Sequence, residues 1–153
     1  MKKETARKIR CVGWAAFLIY ILVLVYLLFL SEELGRGPGT GQARYNLLPF
    51  REIHRFLANR DVLGQKAVFA NIAGNVLLFV PFGAILPVLR KRMRSLGKMA
   101  ALSAALSLAI ELLQLATRSG AFDVDDILLN TLGGILGYGI FTVCNRIRRK
   151  TYG

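Results

Sequence analysis

Two stretches of this sequence, residues 12–30 and 67–89, contain no charged side chain at all. A hydrocarbon layer roughly 30 Å thick offers a backbone no solvent to bond, so about 20 apolar residues in one helix are what crosses it. Residues 99–116, interrupted by Glu111 and Gln114, and residues 127–144, interrupted by Asn130, lie near the lower limit of about 17 residues for a span. Basic clusters and turn residues bracket both. Hydrophobic residues make up 54% of the 153, gathered into these runs instead of spread at amphipathic spacing. The expected fold class is all-α: a four-helix transmembrane bundle in a single domain, 1–153, with a long first outer loop at 31–66.

A formal charge of +12 raises the question of nucleic acid, and the positions of the charges answer it. Lys2, Lys3, Arg7, Lys8 and Arg10 precede the first span; Arg90, Lys91, Arg92, Arg94 and Lys98 join the second and third; Arg146, Arg148, Arg149 and Lys150 follow the fourth. These are fourteen of the 21 basic residues, and four alternating spans put all of them on one side. The positive-inside bias makes that side cytoplasmic, with both chain termini on it, and leaves no case for a nucleic-acid partner. The first apolar run is too long for a signal peptide and lacks a clean small-x-small cleavage site, so it reads as an uncleaved anchor. Cys11 and Cys144 fall at cytoplasmic span ends, where thiols stay reduced.

The outer loop is too long for a simple connection. Residues 35–41 read Gly-Arg-Gly-Pro-Gly-Thr-Gly, a flexible linker; no Gly-Lys-Ser or Gly-Lys-Thr follows to make it a phosphate-binding loop. Residues 46–59 place Leu47, Phe50, Ile53, Phe56 and Leu57 at helical spacing among Arg51, Glu52, His54 and Arg55. That pattern predicts an amphipathic segment in the outer interface, serving as a cap on the bundle or as a lid over a lateral opening. His54 is the sole histidine and has no second imidazole or thiol nearby, so no zinc site is expected.

Within the second span Pro81 and Pro87 free the carbonyls of Leu77 and Gly83 and predict a bend. The fourth span carries Gly133, Gly134, Gly137 and Gly139, and the third offers Ser103 and Ser107 with Ala100 and Ala104. Small residues at four-residue steps predict close packing of the third and fourth spans through the Gly133–Gly137 groove. The first span has no polar group to bury and is expected to face lipid.

Polar residues inside spans cost about 2.5–3.5 kcal/mol for a central charge, and here they share one depth. Asn71 and Asn75 lie in the outer half of the second span. Glu111, Gln114 and Arg118 end the third, and Asp123, Asp125, Asp126 and Asn130 begin the fourth. Steps of three and four put each set on one helix face. Together they predict a polar pocket open to the outer side, with Glu111 about 10 Å below its helix end. Milder roles stand beside this one: Arg118 as a snorkelling C-terminal charge, Asp125 or Asp126 as the N-cap of the fourth span, the asparagines as interhelical glue. Glu111 is the strongest functional candidate, because structural glue rarely requires an acid at that depth.

The motifs Asn46-Leu-Leu-Pro-Phe50, Asn71-x-x-x-Asn75-x-x-x-Phe79-x-Pro81-x-Gly83, Glu111-x-x-Gln114, Arg118, Asp123-x-x-Asp126 and Asn130-x-x-Gly133-x-x-x-Gly137 resemble those of the VanZ-like membrane proteins, in the same order, from Asn46 to Tyr138. The resemblance implies a bacterial cytoplasmic membrane protein, and it adds Asn46 to the candidate ligand-binding residues. It also implies an association with low-level resistance to the lipoglycopeptide teicoplanin without remodelling of the peptidoglycan precursor. It supplies no molecular mechanism.

Three function classes follow. The first is a binding or shielding protein whose outer pocket takes a membrane lipid, a lipid-linked peptidoglycan precursor or a lipidated drug, with Arg118 on an anionic group and Glu111 and the aspartates on a cationic or hydroxylated one. The second is an enzyme on a lipid-linked substrate, with Glu111 and Asp126 as candidate catalytic acid and base. The third is a small transporter, which four short spans and an apolar inner half disfavour. No cofactor is expected. No metal is expected either, since Asp123-x-Asp125-Asp126 lacks the glutamate that would complete a calcium loop.

Overall fold

The computed structural model describes residues 3–29 and 45–152. The glycine-rich segment 35–41 and the end of the first apolar run lie outside them. Six α-helices follow one another: α1 (Lys3–Phe29), α2 (Arg51–Ala58), α3 (Arg60–Leu63), α4 (Gln65–Leu89), α5 (Leu96–Thr117) and α6 (Val124–Tyr152). Two-residue strands β1 (Tyr45–Asn46) and β2 (Phe122–Asp123) pair in parallel, Tyr45 beside Phe122 and Asn46 beside Asp123. Four helices contain stretches long and apolar enough to cross a membrane: Cys11–Phe29, Asn71–Leu89, Leu96–Thr117 and Val124–Thr151. The expected all-α four-helix transmembrane bundle is the observed one.

The bundle has two chemically distinct ends. At one, the Arg90 guanidinium lies 5.4 Å from the Trp14 ring and Arg94 lies 5.4 Å from Phe141, which brings the start of α1, the α4–α5 connection and the latter part of α6 to one level. At the other, the ends of α1 and α5 meet where Gln114 Nε2 donates to the Leu28 carbonyl at 2.8 Å. We call these the basic end and the polar end.

Between them the core is built from Leu24 and Leu28 of α1, Phe79, Phe82 and Leu86 of α4, and Met99 and Ile110 of α5. The Phe17 and Phe79 rings each lie 6.1 Å from Phe82. Most of the outward side chains of α1 are exposed apolar groups, Leu18, Ile19 and Leu22 among them, as a lipid-facing helix requires. That helix does carry one polar anchor that hydropathy overlooked: the Tyr20 hydroxyl donates to the Leu78 carbonyl of α4 at 2.7 Å. It does so three residues before Pro81, and α4 runs as one helix through both of its prolines.

Glycines decide how α4, α5 and α6 approach. A Cβ added to Gly133 would stand 2.1 Å from the Val76 carbonyl oxygen, and one on Gly137 would stand 2.1 Å from that of Val80. The Gly133–Gly137 groove therefore receives the backbone of α4, not α5 as the small-residue pattern predicted. The α5 contact falls one residue along, where a Cβ on Gly134 would meet the Ser103 hydroxyl at 2.0 Å. The serines of α5 and the glycines of α6 do approach closely, but through Gly134. Helical periodicity identifies a smooth face; which neighbour fills it depends on how three helices share α6.

Candidate functional site: a polar knot at one end of the bundle

Helices α5 and α6 run antiparallel, and their side chains pair in a regular register. Ser103 lies against Gly134, and four residues nearer the polar end Asn130 Nδ2 donates to Ser107 Oγ at 2.8 Å. One further turn sets Glu111 at the level of Asp126. Glu111, 2% exposed, accepts the Asp123 backbone N–H on Oε2 at 2.9 Å. Asp126 accepts from Asn75 Nδ2 of α4. Asn75, Glu111 and Asp126 thus share one layer among three helices, with buried Asn130 and Ser107 one turn nearer the core.

Above this layer the acids of 123–126 reach into the loop that precedes α2. Asp123 Oδ1 accepts Asn46 Nδ2 at 3.0 Å and the Asp125 N–H at 2.8 Å, so Asp123 caps the start of α6 while it holds β1. Asn46 in turn accepts the Leu48 N–H at 3.2 Å. Burial raises the pKa of Asp123 above the usual aspartate value, opposed by its hydrogen bonds from the Asp125 amide and the Asn46 side chain and assisted by the charges of Asp125 and Glu52.

Asp125 does something that a reading of α6 alone does not anticipate. Its side chain is 1% exposed and turns away from its own helix to α2, whose Phe50 N-cap position has φ 66° and offers no side-chain cap. The Asp125 carboxylate accepts the N–H groups of Phe50, Glu52 at 2.8 Å and Ile53 at 3.1 Å. A carboxylate satisfying the orphan donors and positive pole of a short helix is a strong tether, here supplied from 72 to 75 residues away in sequence. The cap of α6, the milder role weighed for Asp125 or Asp126, falls to Asp123, and Asp125 caps α2.

The amphipathic segment expected at 46–59 is accordingly helical only over Arg51–Ala58. Asn46 belongs to a strand, and Leu47, Leu48 and Phe50 are exposed apolar residues of the turn before the helix. Gln114 points not to the acids but to α1, through the Leu28 carbonyl, while its own carbonyl accepts the Ser119 N–H at 3.0 Å.

Arg118 departs most from expectation. It ends α5 with φ 56°, which takes it off the helical face of Glu111 and Gln114 into solvent, and it forms no ion pair among the described residues. Asn71 is half-buried and its side chain makes no hydrogen bond among the described residues. Two buried polar atoms lack a partner among the described residues, Asn130 Oδ1 and Ser103 Oγ.

Where an open polar pocket was expected the structure has a closed knot: of the predicted set, Asn46, Asp123 and Glu111 are joined by hydrogen bonds, Asn75 pairs with Asp126 and Asn130 with Ser107, Gln114 is joined to α1, and Arg118 and Asn71 stand apart. Among the described residues no three histidine, cysteine or acidic side chains converge as ligands for a cation. A concave surface lies beside the knot, where Leu57, Arg60, Val68, Phe69, Ile72 and Ala73 line a groove of about 360 Å³. Ser107 is the residue sequence reasoning left out of the site, and Asp125, counted in the polar set, takes a partner that spacing did not give it. Ser107 is legible in hindsight, being four residues before Glu111 on the same face; Asp125 is not, because its partner is a distant loop.

No solved structure matches the chain. Protein VanZ of Enterococcus faecium is 29% identical to it over 128 residues, which cover 84% of this chain and 72% of that protein. A family model described as VanZ/LLP1 matches residues 17–145. That match runs from within α1 to within α6 and takes in every residue of the knot, so the motifs that join α2, α4, α5 and α6 are carried on a multi-pass membrane protein that belongs to the VanZ/LLP1 family.

Proposed function

We propose that this protein binds an amphiphilic cell-envelope molecule at the outer face of the bacterial cytoplasmic membrane, and that this binding underlies the teicoplanin resistance its family resemblance implies. The molecule is a lipid, a lipid-linked wall precursor or a lipoglycopeptide. The observation that carries this reading is the tether from Asp125 to α2. It holds an amphipathic helix at the polar end, with exposed Leu47, Leu48 and Phe50 and, next in sequence, Arg51 and Arg55. An apolar surface bordered by cations suits a ligand with an acyl tail and an anionic head.

The basic end carries the clusters of 90–98 and 146–150, and the positive-inside bias makes it cytoplasmic; the polar end then faces outward. Arg118, exposed and without a described acidic partner, is the group we assign to the ligand's anionic head. Glu111, Asp123 and Asp126 contribute by keeping the platform rigid, which narrows the direct ligand contacts expected from sequence.

The test is binding of fluorescent teicoplanin and of a labelled lipid-linked precursor to the purified protein in nanodiscs. Saturable binding that weakens at least tenfold in Arg118→Ala is the expected result. Binding no greater than that of empty nanodiscs would sink the proposal.

A second reading, an enzyme on a lipid-linked substrate, has one observation in its favour: the α5–α6 register sets Glu111 level with Asp126. Turnover of labelled envelope lipids that is lost in Glu111→Gln would favour it over binding alone.

A further inference from the structure

The groove beside the knot is chemically unlike the knot. Leu57 at the end of α2 and Val68, Phe69, Ile72 and Ala73 along the first turns of α4 form its walls, and among the described residues Arg60 at the start of α3 is the charged one lining it. Phe69 and Leu57 are 67% and 53% exposed, so the groove opens sideways, toward the surface that α4 presents to lipid. Arg60 is held only loosely, 3.9 Å from an Asp61 carboxylate that is itself almost fully exposed. An exposed pair of that length contributes little and leaves the guanidinium available.

We propose that this groove is a binding site for one anionic phospholipid, an acyl chain lying along α4 between Leu57 and Ile72 and the phosphate meeting Arg60. The inference rests on the membrane placement proposed above and names a ligand class for a surface distinct from Arg118. Charge complementarity selects the occupant. A wholly apolar groove would accept any hydrocarbon, whereas a single guanidinium where the groove meets the headgroup level favours a phosphate-bearing lipid without a compensating cation. Gly64, at φ 81° and ψ 141°, turns the chain between α3 and α4, so that Arg60 stands beside the first turns of α4 instead of continuing their axis.

The experiment is native mass spectrometry of the full chain released from nanodiscs of phosphatidylglycerol or of phosphatidylcholine. Wild type should retain one phosphatidylglycerol at least tenfold more than phosphatidylcholine. Arg60→Ala should level the two lipids, and Ala73→Trp, which fills the groove, should lose both. Val68→Phe serves as a second filling variant should Ala73→Trp fold poorly, with helicity and melting checked for each. Phosphatidylglycerol retention in these variants is scored apart from their binding of fluorescent teicoplanin, so failure of the outer-face binding reading and failure of this one are read separately. Retention unaffected by the filling variants overturns the site, and equal retention of both lipids by wild type overturns its headgroup preference. A wild-type protein that holds no lipid but forms a dimer broken by Ala73→Trp would assign the groove to a second copy instead.

Discussion

Asp125 shows how much one side chain organises here. Its carboxylate serves three amides of another element, and hydrogen bonds to a charged group contribute about 1.5–3 kcal/mol where their loss strands donors. Asp125→Ala should therefore raise hydrogen exchange across α2 by the equivalent of that energy while the α4–α6 core stays protected. The serines of α5 make an opposed pair. Ser107→Ala removes the partner of Asn130 Nδ2 and should cost about 1–3 kcal/mol, whereas Ser103→Ala deletes a hydroxyl that is already unsatisfied and should be close to neutral in thermal melts. Asp123 adds a pH dependence. Its folded pKa is raised, so the folded state holds its proton more tightly than the unfolded one, and stability from this group falls as pH rises from the unfolded value through the folded one. Asp123→Asn keeps an acceptor for the Asp125 amide, and it should flatten the slope of Tm against pH in that acidic window.

Among the helices, α6 is the element on which the others are fitted. Its glycines meet α4 on one side and the Ser103 side chain of α5 on the other, and the near contacts on the α4 side are backbone carbonyls that cannot swing aside. Gly137→Ala should cost about 1–3 kcal/mol through overpacking. Gly139→Ala, two residues away with nothing within 4 Å of its added methyl, should instead gain about 0.5–1 kcal/mol from helix propensity. Detergent melting curves of the two variants compare these directly, and equal effects would contradict the packing described. The same element sends Asp125 to α2 while its cap, Asp123 of β2, holds Asn46 of β1, so a helix that packs by its lack of side chains also holds the loop by the acids at its start.

Over the whole molecule, charge and polarity divide the bundle into two ends. The polar end concentrates the knot, the tethered helix and the groove; the basic end concentrates the arginines that cap Trp14 and Phe141. With native Cys11 and Cys144 replaced, single cysteines at Asp61 and Asn145 should report opposite sides: the first labelled by an impermeant maleimide on intact cells, the second only after permeabilisation. The reverse pattern would invert the placement of the tethered helix, the groove and Arg118.

Hydropathy and the basic clusters determined four spans and a common level for the polar residues, because both properties add up along the chain and need no knowledge of neighbours. The motifs carried family membership for the same reason. What needed the tertiary structure was the identity of partners. A helical period says that Gly133 and Gly137 share a face, but only the arrangement of three helices gives that face to α4. A row of acids says that caps and contacts are available, but only the approach of a loop more than 70 residues earlier gives Asp125 to α2 and shuts the polar cluster into a knot. Arg118 left that cluster because one residue with φ 56° ends the helix and turns its side chain outward, a local geometry that spacing by threes and fours cannot encode.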